Sequence, residues 1–236
     1  MDKVYFIAKK ELLTYFKSPV AYISLVLSIS VFNVFFFLII DQNRELSLRD
    51  VFHVMEFMFL FLVPIMTMRL FSEEKASGTM EFLMTAPVTN TAIVLGKYIG
   101  VLVFFSILIS LTLIYFVIIE FFGSPDRVTI ISGYCGVWLE GAFFIAVGMM
   151  TSSWTRNQIV AAMMSYVILF FLYFLINFTK YFSGAAESII QYMSTLTHLE
   201  HFIVGVITPS DLAYYLSGIF ICIVFTRLSI ENRMFQ

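Results

Sequence analysis

The chain has 236 residues, of which 60% are hydrophobic and 13% are charged, and its net charge at pH 7 is −2. Soluble domains carry roughly 45–50% apolar and about 25% charged residues, so this composition excludes an ordinary soluble globule. The small negative charge argues against nucleic acid as a partner, whereas the 28 phenylalanines and 12 tyrosines favour a protein that faces lipid.

Residues 1–18 predict an amphipathic helix that lies at the membrane surface. At 100° per residue one face carries Tyr5, Ala8, Leu12, Tyr15 and Phe16, and the opposite face carries Lys3, Lys10, Thr14 and Lys17. A basic flank that only orients the first span would give the same pattern. The apolar run that follows is longer than the roughly 7–15 residues of a signal-peptide core, so we expect it to remain as a membrane span.

Six segments have the roughly 20 mostly apolar residues that a helix needs to cross a bilayer. They are Pro19–Ile40, Val51–Leu70, Tyr98–Phe122, Ile130–Ser152, Gln158–Phe178 and Leu212–Leu228. Pro64 predicts a kink in the second span. The sequence therefore predicts one all-α membrane domain over residues 1–236.

The distribution of lysine and arginine predicts that both termini are cytoplasmic. Ten of these residues fall in the N-terminal lead, the second and fourth connections and the C-terminal tail, and four fall in the other connections. Six spans place both termini on the same side of the membrane, and the side with more positive charge is the cytoplasmic one.

The long connection over residues 179–211, predicted to be external, indicates short helices that dip into the outer leaflet. Apolar residues recur there at helical spacing, at Ile189, Met193, Leu196, Phe202 and Val206. Polar residues prevent a full span, namely Glu187, His198, Glu200, His201 and Asp211. An irregular loop of this length would normally be polar, which favours helices packed on the bundle.

The cytoplasmic connection SEEKASGTMEFLMTAPVTN, residues 72–90, predicts a short amphipathic helix between Gly78 and Pro87. Its apolar side carries Met80, Leu83 and Met84, its polar side carries Glu81 and Thr85, and Glu73 and Glu74 precede it. Helices shorter than about 12–15 residues are marginal in water when isolated. We therefore expect this one to dock on another protein.

No catalytic or nucleotide-binding motif occurs in the chain, since H-E-x-x-H, G-x-S-x-G and G-x-x-x-x-G-K-[ST] are all absent. We expect no catalytic residues, no metal and no ATP bound by this chain. His198 and His201 with Glu200 could form a weak metal site, although interfacial polar residues are the more ordinary interpretation. His53 and Glu56 are interpreted as a pair at the external edge.

Glu140 is expected to be alone within the bilayer, near the middle of the fourth span, where a charge costs on the order of 2.5–3.5 kcal/mol or more. A role in a translocation path or a subunit interface and a purely structural hydrogen bond are both open. Small residues permit close helix approach nearby, at Gly141, Ala142, Ala146 and Gly148, and at Gly96 and Gly100. The two cysteines, Cys135 and Cys222, are expected to be buried free thiols.

The string RLFSEEKASGTMEFLMTAPVTNTAIVLGK resembles the first cytoplasmic loop of exporter-type (type-two) ABC permeases. The shared features are the acidic pair, Gly78-Thr79, Glu81, Leu83, Pro87-Val88 and Gly96-Lys97. The lead ending in FKSP, the stretch SSWTRNQIVAA and the C-terminal stretch from His201 to Arg233 fit the same family. Small permeases of the gliding-motility and nitrous-oxide-reductase maturation groups are similar, although Val206-Ile207-Thr208-Pro209 departs from the Ile-Asp pair expected there.

The resemblance implies the permease subunit of an ATP-driven exporter in a prokaryotic cytoplasmic (inner) membrane. Such permeases pair as homodimers or with a related chain and bind two ATPase subunits, which hold ATP and magnesium; an external-domain protein is an optional partner. The resemblance assigns ATPase coupling to Glu73, Glu74, Gly78, Thr79, Met80, Glu81, Leu83, Met84 and Pro87, and a second cytoplasmic contact to Arg156, Asn157 and Gln158. A non-transporting anchor that relays force to an external partner would show the same pattern, and an intramembrane enzyme using Glu140 is a further alternative.

Overall fold

A computed structural model describes residues 2–43, 47–80 and 88–231. This part of the chain is helical. Its helices are α1 (Asp2–Lys17), α2 (Pro19–Asn43), α3 (Arg49–Thr67), α4 (Arg69–Ala76), α5 (Asn90–Phe122), α6 (Arg127–Ser152), α7 (Gln158–Phe174), a 3-10 helix (Leu175–Tyr181), α8 (Ala185–Met193), α9 (Thr195–Ile203) and α10 (Pro209–Glu231).

Six helical segments are long and apolar enough to cross a membrane, which confirms the number of predicted spans. They are α2, α3 with α4, α5, α6, α7 with the 3-10 helix, and α10. The span boundaries differ from the prediction by up to eight residues, the largest difference being the start of α5 at Asn90 instead of Tyr98. The chain leaves the regular helix at Met68, one turn after Pro64, and α5 begins at Asn90 because the Thr89 side chain accepts a hydrogen bond from the Ala92 amide at 3.3 Å.

Helix α6 is the central helix of the bundle. In the most apolar 18-residue stretch of α6, 83% of the residues are buried, against 22% in that of α10. Helix α6 contacts α3, α5, α7, α9 and α10. Gly141 and Gly148 permit this packing, because a Cβ atom at either position would overlap the ring of Phe105 or the side chain of Thr67. The predicted small-residue contacts of this helix are therefore confirmed.

Gly141→Ala is expected to lower the free energy of unfolding by about 1–3 kcal/mol, since the added methyl group forces the Phe105 ring out of place. Denaturant titration in detergent micelles measures the change. Cys135→Ala is the matched control because Cys135 is an exposed position on the same helix. An unchanged midpoint for Gly141→Ala would contradict the packing.

The two ends of α6 define two faces of the molecule. At its C-terminal end lie α1, α4 and the α6–α7 turn, and we call this end the α1 face. At its N-terminal end Gly136 packs against Phe202 of α9, and Thr129 lies beside Gly205. We call that end the α9 face. Glu140 lies about midway between them, roughly 20 Å along the helix axis from either end.

Helix α1 is amphipathic, but its buried face is turned relative to the prediction. Ala8 and Tyr15 are buried as predicted, whereas Tyr5 is 62% exposed. Glu11 lies on the packed side between them and was missed. The helix rests on the first turns of α5, where Gly96 and Gly100 leave room for it.

The segment before α10 forms short helices, as predicted. Helix α9 is held in the bundle through Leu199, Phe202 and Ile203, while α8 buries no residue. The two thiols are both free, but only Cys222 is buried. The expectation of burial is wrong for Cys135, because no helix within residues 2–43, 47–80 and 88–231 covers the face of α6 that carries it.

Candidate functional site

The predicted coupling segment begins where α4 ends. Glu73 and Glu74 belong to α4, which is therefore helical where the sequence predicted a loop. Gly78 follows with φ of +73°, a conformation that favours glycine, and Thr79 and Met80 begin a new helical turn. The other predicted coupling residues, Glu81, Leu83, Met84 and Pro87, lie outside the described residues.

Lys97 joins three helices at this point. Its ammonium group donates to Glu74 of α4 at 2.8 Å and to Glu11 of α1 at 3.3 Å, and it lies 5.2 Å from the centre of the Phe71 ring. The Lys97 side chain is only 4% exposed. Both carboxylates are needed to compensate a buried ammonium, so this ion triad fixes α1 and α4 to α5.

The backbone of α5 allows α1 to come close enough for these contacts. A Cβ atom at Gly96 would lie 2.6 Å from Cβ of Ile7, and one at Gly100 would lie 2.7 Å from Cβ of Glu11. The Gly96–Gly100 pair was predicted to permit helix packing, and the helix that uses it is α1. The ion triad and the glycine pair therefore form one region of contact between α1, α4 and α5, and we call such a region a joint.

A second joint connects α4 to the end of α6. The hydroxyl of Ser152 accepts hydrogen bonds from the amides of Phe71 and Ser72, at 3.0 and 3.2 Å, and donates to the carbonyl of Met68 at 2.9 Å. The first amides of any helix lack partners within that helix. The Ser152 hydroxyl is a hydrogen-bond partner for two amides of α4, although it belongs to a helix that is distant in sequence. It thereby caps α4.

The carbonyl of Ser153 extends this joint. It accepts a hydrogen bond from the ammonium of Lys75 on α4, and another at 2.9 Å from the hydroxyl of Ser229 on α10. Tyr15 of α1 donates to the carbonyl of Met66 at 2.6 Å, and burial raises the pKa of its phenol, so that the donor stays protonated. The α1 face is therefore a connected set of α1, α4, α5, α6 and α10.

A polar cleft of about 240 Å³ opens between α1, α4 and α5. Charged side chains dominate its walls, which are formed by Lys10, Glu11, Thr14, Arg69, Leu70, Glu73, Glu74, Ser77, Thr79 and Lys97. It lies directly beside the start of the predicted coupling segment. A charged concave surface of this kind suits the side chains of a protein partner rather than a lipid tail.

The α6–α7 turn carries the predicted second contact. Asn157 caps α7, because its side-chain oxygen accepts from the amides of Ile159 and Val160 at 2.9 and 3.4 Å. Arg156 is exposed, and Gln158 is the first residue of α7. The turn is thus held by this cap and carries the exposed Arg156 at the α1 face.

Glu140 is fully buried, but the expectation that it stands alone is wrong. The carboxyl of Glu56 on α3 is its neighbour and is also fully buried, so Glu56 is not an edge residue. His53 contacts Glu56 as its spacing predicted, with 3.6 Å between Nδ1 and Oε2. Complete burial within one chain also removes Glu140 from any surface where a second subunit packs.

The polar residues of α9 do not form the metal site that was considered. Within the described ranges no group of three or more His, Cys, Asp and Glu side chains has metal-binding geometry. His198 and His201 both turn to Asp211, at 2.6 and 3.1 Å, and Glu200 turns instead to His53 at 3.2 Å.

The sequence interpretation missed the polar residues that connect helices. These are Glu11, Lys75, Lys97, Ser152, Glu56 and Asp211. One signal was available: Glu11 falls between Ala8 and Tyr15 on the apolar face of α1, where an acid requires a partner. Nothing in the sequence indicated that Lys97 would be that partner.

The sequence profile of a family described as "ABC-2 family transporter protein" matches residues 5–218. The chain belongs to the ABC-2 family. It is the membrane permease subunit of an ABC-2 transporter, a multi-pass protein without a catalytic site of its own, and the ATPase is a separate subunit. No curated protein matches the chain.

Proposed function

We propose that this ABC-2 permease is the membrane subunit of an ATP-driven exporter in a prokaryotic inner membrane. Two copies of an ATPase subunit, each holding ATP and magnesium, bind a pair of permease chains. The resemblance of the sequence to the gliding-motility and nitrous-oxide-reductase maturation permeases supports this assembly. The observation that carries the proposal is the ion triad of Lys97, which joins the start of the predicted coupling segment to two other helices.

In this proposal the α1 face is cytoplasmic and the α9 face is external. The ten-to-four distribution of lysine and arginine supports this orientation. Helix α1 then lies at the cytoplasmic interface, with exposed Lys9, Lys10 and Lys17 near lipid phosphates. Helices α8 and α9 lie in the outer leaflet.

Coupling follows from the two joints. When the ATPase subunits close, they push on the segment that begins at Gly78, and α4 transmits the displacement. The triad passes it to α1 and α5, and Ser152 and Ser153 pass it to α6 and α10. The helices then move as a unit, as a switch between inward- and outward-facing states requires.

Binding of the ATPase tests this proposal. Leu83→Asp and Glu81→Lys are expected to abolish co-purification of the co-expressed ATPase subunit with the tagged permease, while the permease still inserts and purifies. Ile207→Asp, an equally polar change at an exposed site on the α9 face, is expected to leave co-purification intact. Normal complex formation and transport by the Leu83 and Glu81 variants would overturn the proposal.

A further inference from the structure

Four side chains form a continuous row from the α9 face into the middle of the bundle. Nε2 of His53 lies 3.2 Å from Oε2 of Glu200, and its Nδ1 lies 3.6 Å from Oε2 of Glu56. Glu56 is in turn the neighbour of Glu140. Exposure falls from 43% at Glu200 and 36% at His53 to 0% at both Glu56 and Glu140.

The inner end of this row has unused hydrogen-bonding capacity. All four carboxyl oxygens of Glu56 and Glu140 are buried, and none makes a hydrogen bond of normal geometry to another described residue. Two ionised carboxylates that are neighbours in a buried site repel each other, and each loses its hydration at a large cost in free energy. A proton on one of them removes that repulsion, which is how other carboxyl pairs in such sites are stabilised.

The described groups around the two glutamates do not supply a positive charge that would compensate two ionised carboxylates. Besides Glu200, the titratable groups that face the pair or His53 are Asp50 on α3, Tyr173 on α7, and Tyr214 and Tyr215 on α10. Among the described residues no lysine or arginine acts on either buried glutamate. Of the two buried glutamates, Glu56 is the one that His53 contacts. Glu56 is therefore the better placed of the two to carry the negative charge, and the proton belongs on Glu140.

We propose that Glu140 and Glu56 form a proton-binding site within the membrane, and that His53 relays protons to it from the α9 face. His53 takes up a proton at Nε2, beside Glu200, and releases the proton on Nδ1 to Glu56, which passes it to Glu140. One N–H bond forms and another breaks on the imidazole, and one O–H bond forms on Glu140. The net charge of the row rises by one.

The placement of the pair on two helices links the bound proton to helix movement. Glu56 belongs to α3 and Glu140 to α6, the central helix. Any movement that separates α3 from α6 takes the carboxylate of Glu56 away from the proton on Glu140. The affinity for the proton then differs between the two arrangements, which is the condition for coupling a proton to a conformational cycle.

Infrared difference spectroscopy of the purified permease in lipid nanodiscs tests the binding site. The wild type is expected to show the carbonyl band of a buried protonated carboxyl group at neutral pH, and Glu140→Gln is expected to lose it. Glu120→Gln, on α5 and outside the row, is the control and should retain it. A band of equal size in Glu140→Gln would overturn the proposal, and so would loss of the wild-type band when sodium replaces choline at constant pH, since the pair would then bind a metal cation.

Hydrogen–deuterium exchange of the same band tests the relay. His53→Gln and Glu56→Gln are expected to slow exchange of the Glu140 proton by about a hundredfold, a magnitude typical of positioned proton-transfer groups. His201→Gln is the matched control, because His201 lies on the same face but turns to Asp211. Exchange at the wild-type rate in His53→Gln would overturn the relay.

Discussion

Lys97→Met is expected to lower the free energy of unfolding by about 3–5 kcal/mol, the largest effect of any single substitution at the α1 face. Methionine keeps the length of the side chain but leaves Glu11 and Glu74 without a counter-charge in a largely buried site. Denaturant titration in detergent micelles measures the loss. Lys9→Met is the matched control, since Lys9 is an exposed residue of α1 and should change stability by less than about 0.5 kcal/mol.

A neutral version of the triad separates charge from packing. Lys97→Met combined with Glu11→Gln and Glu74→Gln removes the charges together, and we expect it to recover most of the lost stability. If the triple variant is as unstable as Lys97→Met, the loss comes from the contact of the Lys97 ammonium with the Phe71 ring rather than from unpaired carboxylates. In the proposed coupling path the triple variant still lacks the ionic connection, so the ATPase activity of its complex with the ATPase subunits should respond less to substrate than that of the wild-type complex.

The spans could be predicted because a bilayer imposes a length and a polarity on each crossing. The same property hides which face of a span meets lipid and which meets protein, since both surroundings are apolar. Helices α6 and α10 illustrate this, because both have the length and polarity of a span. Nevertheless 83% of the apolar stretch of α6 is buried, and only 22% of that of α10. Glu56 was predicted to lie with His53 at the external edge, although it is buried inside the bundle.

The joints could not be predicted because their partners are distant in sequence. Lys97 and Glu11 are 86 positions apart, and Phe71 and Ser152 are 81 apart. Periodicity assigns a residue to a helix face but says nothing about which helix covers that face. The Gly96–Gly100 pair indicated that some helix approaches α5, and only the packing of α1 on it brings Glu11 to Lys97.

Asp211→Asn is expected to lower the free energy of unfolding by about 1.5–3 kcal/mol, through weakening of the hydrogen bonds to the carboxylate that hold α9 to α10. Nδ1 of His198 lies 2.6 Å from the Asp211 carboxylate, and its Nε2 lies 2.9 Å from the carbonyl of Tyr192. The His198 ring therefore links α8 and α10 through both of its nitrogens. Asparagine keeps the size of the side chain but removes the carboxylate charge that His198, His201 and Thr208 contact. Asp41→Asn, at an exposed aspartate of α2, is the matched control.

A double-mutant cycle identifies the origin of the loss at Asp211. Asp211 also accepts from the hydroxyl of Thr208 at 2.6 Å, and its amide lies 3.2 Å from that hydroxyl, so part of the effect comes from the cap of α10. If the His198–Asp211 contact dominates, His198→Gln combined with Asp211→Asn should cost clearly less than the sum of the two single changes, because both changes remove the same contact. Strict additivity would assign the loss to the cap instead. Because α9 packs on α6 through Phe202 and Leu199, in its C-terminal half, loss of the pair should free its N-terminal turn first.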